Sequence, residues 1–331
     1  MSKPLRFGIL GAAKIAPQAV IDPARLEADA EVVAVAARDR DRARSYADEH
    51  GIPRVVADYA ALVEDPEVDV VYNPLPMNLH AKWSIAALRA GKHVLCEKPF
   101  AANAAEASEM VEVANETGKL LVEAFHYRYH PLFARVIEVA RTGALGSIQR
   151  LDGTFKVAIK DRNDLRHRYD TAGGATMDLG CYPLHWMRTF MDAEPEVVSA
   201  KATEGAANVD VVMEADLRFP GGVPATMVTS MEDHEPFSTT LTVIGSRGKL
   251  FVDNPLAPHG GHKFELTIDG ETQSEQHADG KTTYHHQLIA FCDAVRKGGS
   301  LPTMGQDSIN AMKLIDAVYT AAGLPVRGTS V

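Results

Sequence analysis

The sequence predicts an α/β Rossmann fold, a doubly wound parallel sheet, over residues 1–125, followed over 126–331 by an α+β domain on an open, predominantly antiparallel sheet. Three observations carry this. Short apolar runs alternate with stretches of helical spacing through the first 125 residues, a Gly-containing turn closes the first run, and beyond about residue 146 the runs become long strands with a single apolar face.

The runs of strand length are Leu5 to Leu10, Val32 to Ala37, Val68 to Tyr72, His93 to Cys96 and Leu120 to Val122. They are nearly continuous in apolar residues, as strands covered on both faces must be. Between two of them, Ala107, Met110, Val111 and Ala114 recur at i, i+3, i+4 and i+7, behind Asn103 as N-cap and Glu106 three residues later. Strand–helix alternation of this kind builds a parallel sheet that binds ligands at the carboxyl ends of its strands.

In the second part, Val211, Met213, Ala215, Leu217 and Phe219 alternate with Val212, Glu214, Asp216 and Arg218. One face of that strand is therefore apolar and the other mostly polar. The turn "PGGVP" at 220–224 leads to "ATMVTSM", and "TLTVIG" and "KFELTI" follow, which reads as a meander of antiparallel strands with one wet face. Two helices close the chain, with stripes Leu288, Phe291, Cys292, Val295 and Ala311, Leu314, Ile315, Val318. They are candidates to pack back on the first domain.

Composition excludes several classes of function. The chain of 331 residues is 46% hydrophobic and 24% charged, which suits two soluble domains. Its net charge of -10 comes with no cluster of Lys and Arg, so no nucleic-acid partner is expected. No run reaches the roughly 18 apolar residues of a membrane helix and no leader is evident, so a cytoplasmic location is expected. Cys96, Cys181 and Cys292 lie far apart in apolar or helical contexts, as packing thiols do, and no metal site is expected.

Four motifs carry chemistry. "FGILGAAKIA" at 7–16 orders strand, turn and helix start, so Gly11, Ala12, Ala13, Lys14 and Ile15 are candidates to cradle a pyrophosphate on backbone amides. Ala13 and Ala16 replace the second and third glycines, and a plain tight turn fits too; the position at the head of the strand–helix run favours a cofactor. In "VAVAARDRDRA", Ala37 and Arg38 stand at the strand tip and Asp39 comes only afterwards. An arginine there accepts a 2'-phosphate, which favours NADP(H) over NAD(H), unless Arg38 merely pairs with Asp39 or Asp41. The prolines of "NPLPMNLHAKW" at 73–83 fix an extended loop, making Pro74, Leu75 and His80 cofactor candidates, although His80 could simply cap the helix. In "VLCEKPF", Glu97 and Lys98 put two charges at the rim of a core, where they must be solvated, paired or used.

Taken with "EAFHYRYHP" and "GGATMDLGCYPLH", these motifs run in one order across residues 7 to 185. The chain thereby resembles the glucose-fructose oxidoreductase, inositol dehydrogenase and MocA (Gfo/Idh/MocA) family, in its dimeric dihydrodiol and D-xylose dehydrogenase branch. The resemblance implies that Lys98 is the lysine beside the reacting carbon, that Pro99 after it is cis, and that Glu97 belongs with the cofactor residues. It implies that Asp178 is the acid of the family's D-x-G-x-H pattern, with Tyr182 at the histidine position as in that branch. Asparagine is usual in the branch where Met77 stands, and an apolar residue where His126 stands.

The implied reaction moves a hydride between a nicotinamide and a carbinol carbon of a sugar or vicinal diol, and it requires a proton carrier. Tyr182, tuned by Lys98, is the candidate, with the two roles exchangeable and Asp178 positioning substrate or lysine. Substrate candidates are His126, Tyr127 and Arg128 at the domain junction, Arg166 after a polar loop, and His185 one turn beyond Tyr182. The competing reading is a non-catalytic NAD(P)-binding sugar sensor of the same fold, for which both Lys98 and Tyr182 would be superfluous. A homodimer or tetramer through the second domain's sheet is expected.

Overall fold

A computed structural model describes residues 3–328; residues 1–2 and 329–331, the outermost of the two expected domains, lie outside the described residues. The chain divides into two compact units, Met1–His126 with Tyr284–Ile309, and Tyr127–Thr283 with Asn310–Val331.

The first unit is a parallel sheet of β1 (Leu5–Leu10), β2 (Ala30–Ala36), β3 (Arg54–Val55), β4 (Val70–Asn73), β5 (His93–Cys96) and β6 (Leu121–Glu123). Their order is β3-β2-β1-β4-β5-β6, so the winding reverses between β1 and β4. Each expected run forms a strand, because Phe7, Ile9, Val70, Val71, Val94 and Leu95 lose all contact with solvent. The two-residue β3 is too short to show a period in the sequence.

Helices α1 (Asp22–Leu26), α2 (Arg40–His50), α3 (Tyr59–Glu64), α4 (His80–Arg89) and α5 (Ala104–Thr117) connect these strands. Helix α5 starts where its cap predicts: the Asn103 side chain accepts the Glu106 amide at 3.0 Å. The Glu106 carboxylate reaches back to the Ala102 amide, also at 3.0 Å. From Tyr284 onward, α8 (Thr283–Lys297) belongs to this unit. Its Leu288, Phe291 and Cys292 join the cluster of Phe7, Ile9 and Val35, and the Phe7 and Phe291 rings lie 5.9 Å apart. Burying a side chain of this size contributes roughly 2 kcal/mol toward holding the helix there.

The second unit contains α6 (Pro131–Arg141), α7 (Cys181–Met191) and, from Asn310, most of α9 (Gln306–Ala321). Its sheet comprises β7 (Ile148–Lys156), β8 (Glu196–Ala206), β9 (Val209–Phe219), β10 (Val223–Ser230), β11 (Ser238–Gly245), β12 (Gly248–Asp253), β13 (Lys263–Ile268) and β14 (Glu271–Glu275). The order β14-β13-β12-β11-β7-β10-β9-β8 corrects the simple meander in one respect. Strand β7 inserts between β10 and β11 and runs parallel to β10, with Leu151 opposite Ala225; the other ladders are antiparallel. Alternation reveals a strand's face but not its partner. Helix α7 packs on β7, β10 and β11, burying Trp186, Met187 and Phe190, while Glu214, Asp216 and Arg218 stay exposed on the opposite face.

Candidate active site

In the first unit the candidates gather at the carboxyl ends of β1, β2, β4 and β5. Gly11 ends β1 at φ +86, and a Cβ there would meet Leu75 Cδ2 at 3.2 Å and the Tyr59 hydroxyl at 3.8 Å. Glycine thus leaves the space over the turn open. The Ala12 carbonyl accepts Arg42 Nη2 at 2.8 Å, and the Ala13 carbonyl accepts the Tyr46 hydroxyl at 2.9 Å. In a planar trans peptide the next amide points the opposite way, so the Ala13 and Lys14 N–H groups face away from α2. Backbone donors turned outward above an open glycine suit a phosphate. Lys14 is exposed and Ile15 packs against the core. A short π-helix, Pro17–Ile21, follows and precedes α1.

At the tip of β2, Ala37 is buried and Arg38 exposed. The Asp39 carboxylate is occupied as the N-cap of α2, accepting the Asp41 and Arg42 amides at 3.0 Å each. Asp41 pairs with Arg44 at 3.2 Å. Neither acid pairs with Arg38, which sits instead beside Tyr59, whose hydroxyl is pushed above its ordinary pKa by burial and drawn back by that guanidinium.

Four contacts brace the loop that carries Lys98. The Tyr72 hydroxyl donates to Glu97 Oε1 at 2.7 Å, and Glu123 Oε1 accepts the Phe100 amide at 3.0 Å. His80 Nδ1 lies 2.9 Å from the Pro99 carbonyl, and its Nε2 2.8 Å from the Leu75 carbonyl. The Lys98–Pro99 bond is cis. His80 therefore ties the loops after β4 and β5 together. A neutral imidazole can donate to only one of those carbonyls, and burial holds the ring neutral by lowering its pKa to about 4. Pro74 and Lys98 are half-buried at the same edge, and Leu75 and Glu97 are buried there. His126 is buried with its ring stacked on Tyr284, 3.9 Å between centroids.

In the second unit, Asp178 lies in a short π-helix, Thr176–Gly180, and Tyr182 lies in the first turn of α7 four residues later, so the two share a face. Asp178 Oδ2 accepts Arg166 Nε at 2.6 Å, while Arg166 Nη1 reaches Asp164 Oδ1 at 3.1 Å. The two carboxylates, Asp178 first, raise the Arg166 pKa further and fix its charge. The Tyr182 ring is buried beside Phe155, Tyr127 and Trp186, at 5.6, 6.0 and 6.2 Å between centroids. The Tyr127 hydroxyl is hydrogen-bonded to His185 Nδ1. Arg128 is half-buried in the turn before α6.

The support under this turn was not legible in the sequence. Asp210 accepts the Thr176 amide at 2.7 Å and its hydroxyl at 2.6 Å on one oxygen, and Tyr319 and Arg327 at 2.9 Å each on the other. Arg327 Nε donates to the Gly173 carbonyl at 2.7 Å. Asp210 falls on the wet-face positions of β9, where the pattern reads as solvated, and the arginine lies far away near the C-terminus.

Comparison with known proteins fits this architecture. The model of an oxidoreductase family with an NAD-binding Rossmann fold matches residues 5–125, and the GFO/IDH/MocA C-terminal domain matches residues 133–251. The chain belongs to the GFO/IDH/MocA family. Within this NAD(P)-binding oxidoreductase family, it is 35% identical to a D-xylose 1-dehydrogenase (NADP(+)) of Haloferax volcanii, over 96% of this chain and 97% of that one. It is 34% identical to a dTDP-3,4-didehydro-2,6-dideoxy-alpha-D-glucose 3-reductase of Streptomyces violaceoruber, over 97% and 96%. The crystal structure of a 3-ketoreductase from Actinomadura kijaniata, in complex with NADP and TDP-benzene, superposes with a TM-score of 0.87 at 31% identity, covering 96% of this chain and 98% of that one. Among the described residues of this GFO/IDH/MocA protein, no helix is long and apolar enough to cross a membrane.

Proposed function

We propose that the protein is an NADP(H)-dependent oxidoreductase acting on a carbinol or carbonyl carbon of a sugar or vicinal diol. The observation that carries the reading is the braced Lys98 loop at the end of β5 in a chain that also has Tyr182 four residues after Asp178, in the family's motif order. The nicotinamide, when bound, supplies or accepts the hydride. The protein's part is the proton. Tyr182 transfers it to or from the substrate oxygen, and Lys98 orients that oxygen and favours the phenolate. A free phenol and a free ammonium titrate near 10 and 10.4, so each is a poor base near neutrality unless the other shifts it. Asp178, anchored by Arg166, accepts substrate hydroxyls.

The turn Gly11–Ile15 would hold the pyrophosphate, and Arg38 with Tyr59 the adenosine 2'-phosphate. Support for the phosphate contact comes from Asp39 and Asp41, which are engaged elsewhere, and from relatives whose names specify NADP. His126, Tyr127, Arg128 and His185 are the further pocket residues of this reading. A homo-oligomer would form through the sheet face opposite α7, where Val228, Ile244 and Phe251 are half-buried. The test is a spectrophotometric screen of aldoses, keto-sugars and vicinal diols with both cofactors and in both directions. Turnover with a clear preference for NADP(H) is expected. Tight NADPH binding with silence on every substrate would favour a sensor instead, and a clear preference for NAD(H) would remove Arg38 from its role.

A further inference from the structure

Strand β4 is apolar up to its end, yet it contains a phenol with no solvent exposure, Tyr72. An unpartnered buried hydroxyl costs roughly 1–3 kcal/mol, so a site built for packing alone would favour phenylalanine. The ladder pairs Tyr72 with Leu95, two residues before Glu97, which places Tyr72 and Glu97 on the same side of the sheet. The phenol runs along the strand and donates to Glu97 Oε1 at 2.7 Å. The second carboxylate oxygen lies 3.3 Å from the Lys98 amide. Burial and the Glu97 charge hold Tyr72 well above its ordinary pKa, so the hydroxyl always donates.

The position of this pair in the sheet gives it a ligand. Winding reverses between β1 and β4, and a dinucleotide crosses such a sheet at that point, with its adenosine half over β1 and β2 and its nicotinamide half over β4 and β5. Arg38 stands on the first side and Glu97 on the second.

We infer that Tyr72 is a positioning residue that fixes the Glu97 carboxylate to receive the nicotinamide half of the cofactor. The inference rests on the cofactor reading above and deepens it. Binding of NADPH and of 2',5'-ADP, which lacks the nicotinamide half, is measured by calorimetry for the wild type and Tyr72→Phe. The expected result is an NADPH affinity about tenfold weaker, with 2',5'-ADP affinity within about twofold of wild type. The retained 2',5'-ADP affinity doubles as proof of fold. In a Glu97→Ala background the hydroxyl has nothing to orient, and Tyr72→Phe should cost no further affinity. Unchanged NADPH affinity, equal weakening of both ligands, or a persisting tenfold loss in the Glu97→Ala background would each overturn the inference. A wild type that binds neither ligand would instead overturn the cofactor reading itself.

Discussion

Asp210 and Arg327 form an ion pair whose side chains have 0% exposure on both sides, and removing one partner at a time should reveal what it supports. Arg327 donates to Asp210 at 2.9 Å and to the Gly173 carbonyl at 2.7 Å, and its guanidinium carbon lies 3.8 Å from the centroid of the Tyr319 ring. Arg327→Met leaves a buried carboxylate on the Thr176 and Tyr319 donors alone; Asp210→Leu takes the Asp210 charge away from a buried guanidinium. Breaking a buried pair from one side costs roughly 3–5 kcal/mol, whereas replacing both members by apolar residues of similar volume is often close to neutral. Here the double variant also strands the Thr176 amide and the Tyr319 hydroxyl, at roughly 1–3 kcal/mol each. The double variant should therefore be no less stable than Asp210→Leu alone, which strands the same two donors and a buried guanidinium besides, with a coupling of at least about 2 kcal/mol. Urea unfolding followed by Trp186 fluorescence in a Trp83→Phe background reads the second unit alone. Additive losses, or single losses under about 1 kcal/mol, would refute the reasoning.

Other predictions are narrower. His80 titrates near 4 when folded against about 6.5 when unfolded, so the unfolded chain binds its proton first as pH falls. The stability it contributes is present above pH 6.5 and is lost between there and 4, about 3 kcal/mol in all; chemical unfolding across that range should fall more steeply for wild type than for His80→Gln. Gly174 sits at φ +137, with a would-be Cβ 2.2 Å from Asp210 Oδ1, so Gly174→Ala should destabilise the second unit by more than about 2 kcal/mol in the same fluorescence assay. Arg38→Ala should weaken NADPH about tenfold and leave NADH within about twofold, as measured by fluorescence titration.

What the sequence revealed and what it hid have a common physical basis. Strands buried on both faces must be apolar throughout, and β1, β2, β4, β5 and β6 were visible for that reason. The Asn103 cap of α5 was legible because it acts within one turn. Partnership across the chain was not legible. Nothing in the local pattern says that β7 enters between β10 and β11, or that Arg166 anchors Asp178. Of the polar residues that brace the Lys98 loop, only His80 stood out in the sequence, as a cofactor candidate or helix cap, while Tyr72 read as part of an apolar run. Glu123, His80 and Tyr72 gain meaning only when the fold brings them to the end of β5. Asp210 was the most deceptive, since its alternation placed it with Glu214 and Asp216 on the wet face although it is fully buried.

The central claim is that Tyr182 carries the proton in an NADP(H)-dependent reaction on a sugar or diol. Its most direct test is steady-state turnover by Tyr182→Phe on the best substrate from the screen, with NADPH affinity measured alongside. The account predicts unchanged cofactor affinity and a fall in kcat of at least about a hundredfold, the usual scale for losing a general acid–base. A folded variant that binds NADPH and turns over at near-normal rate would contradict it.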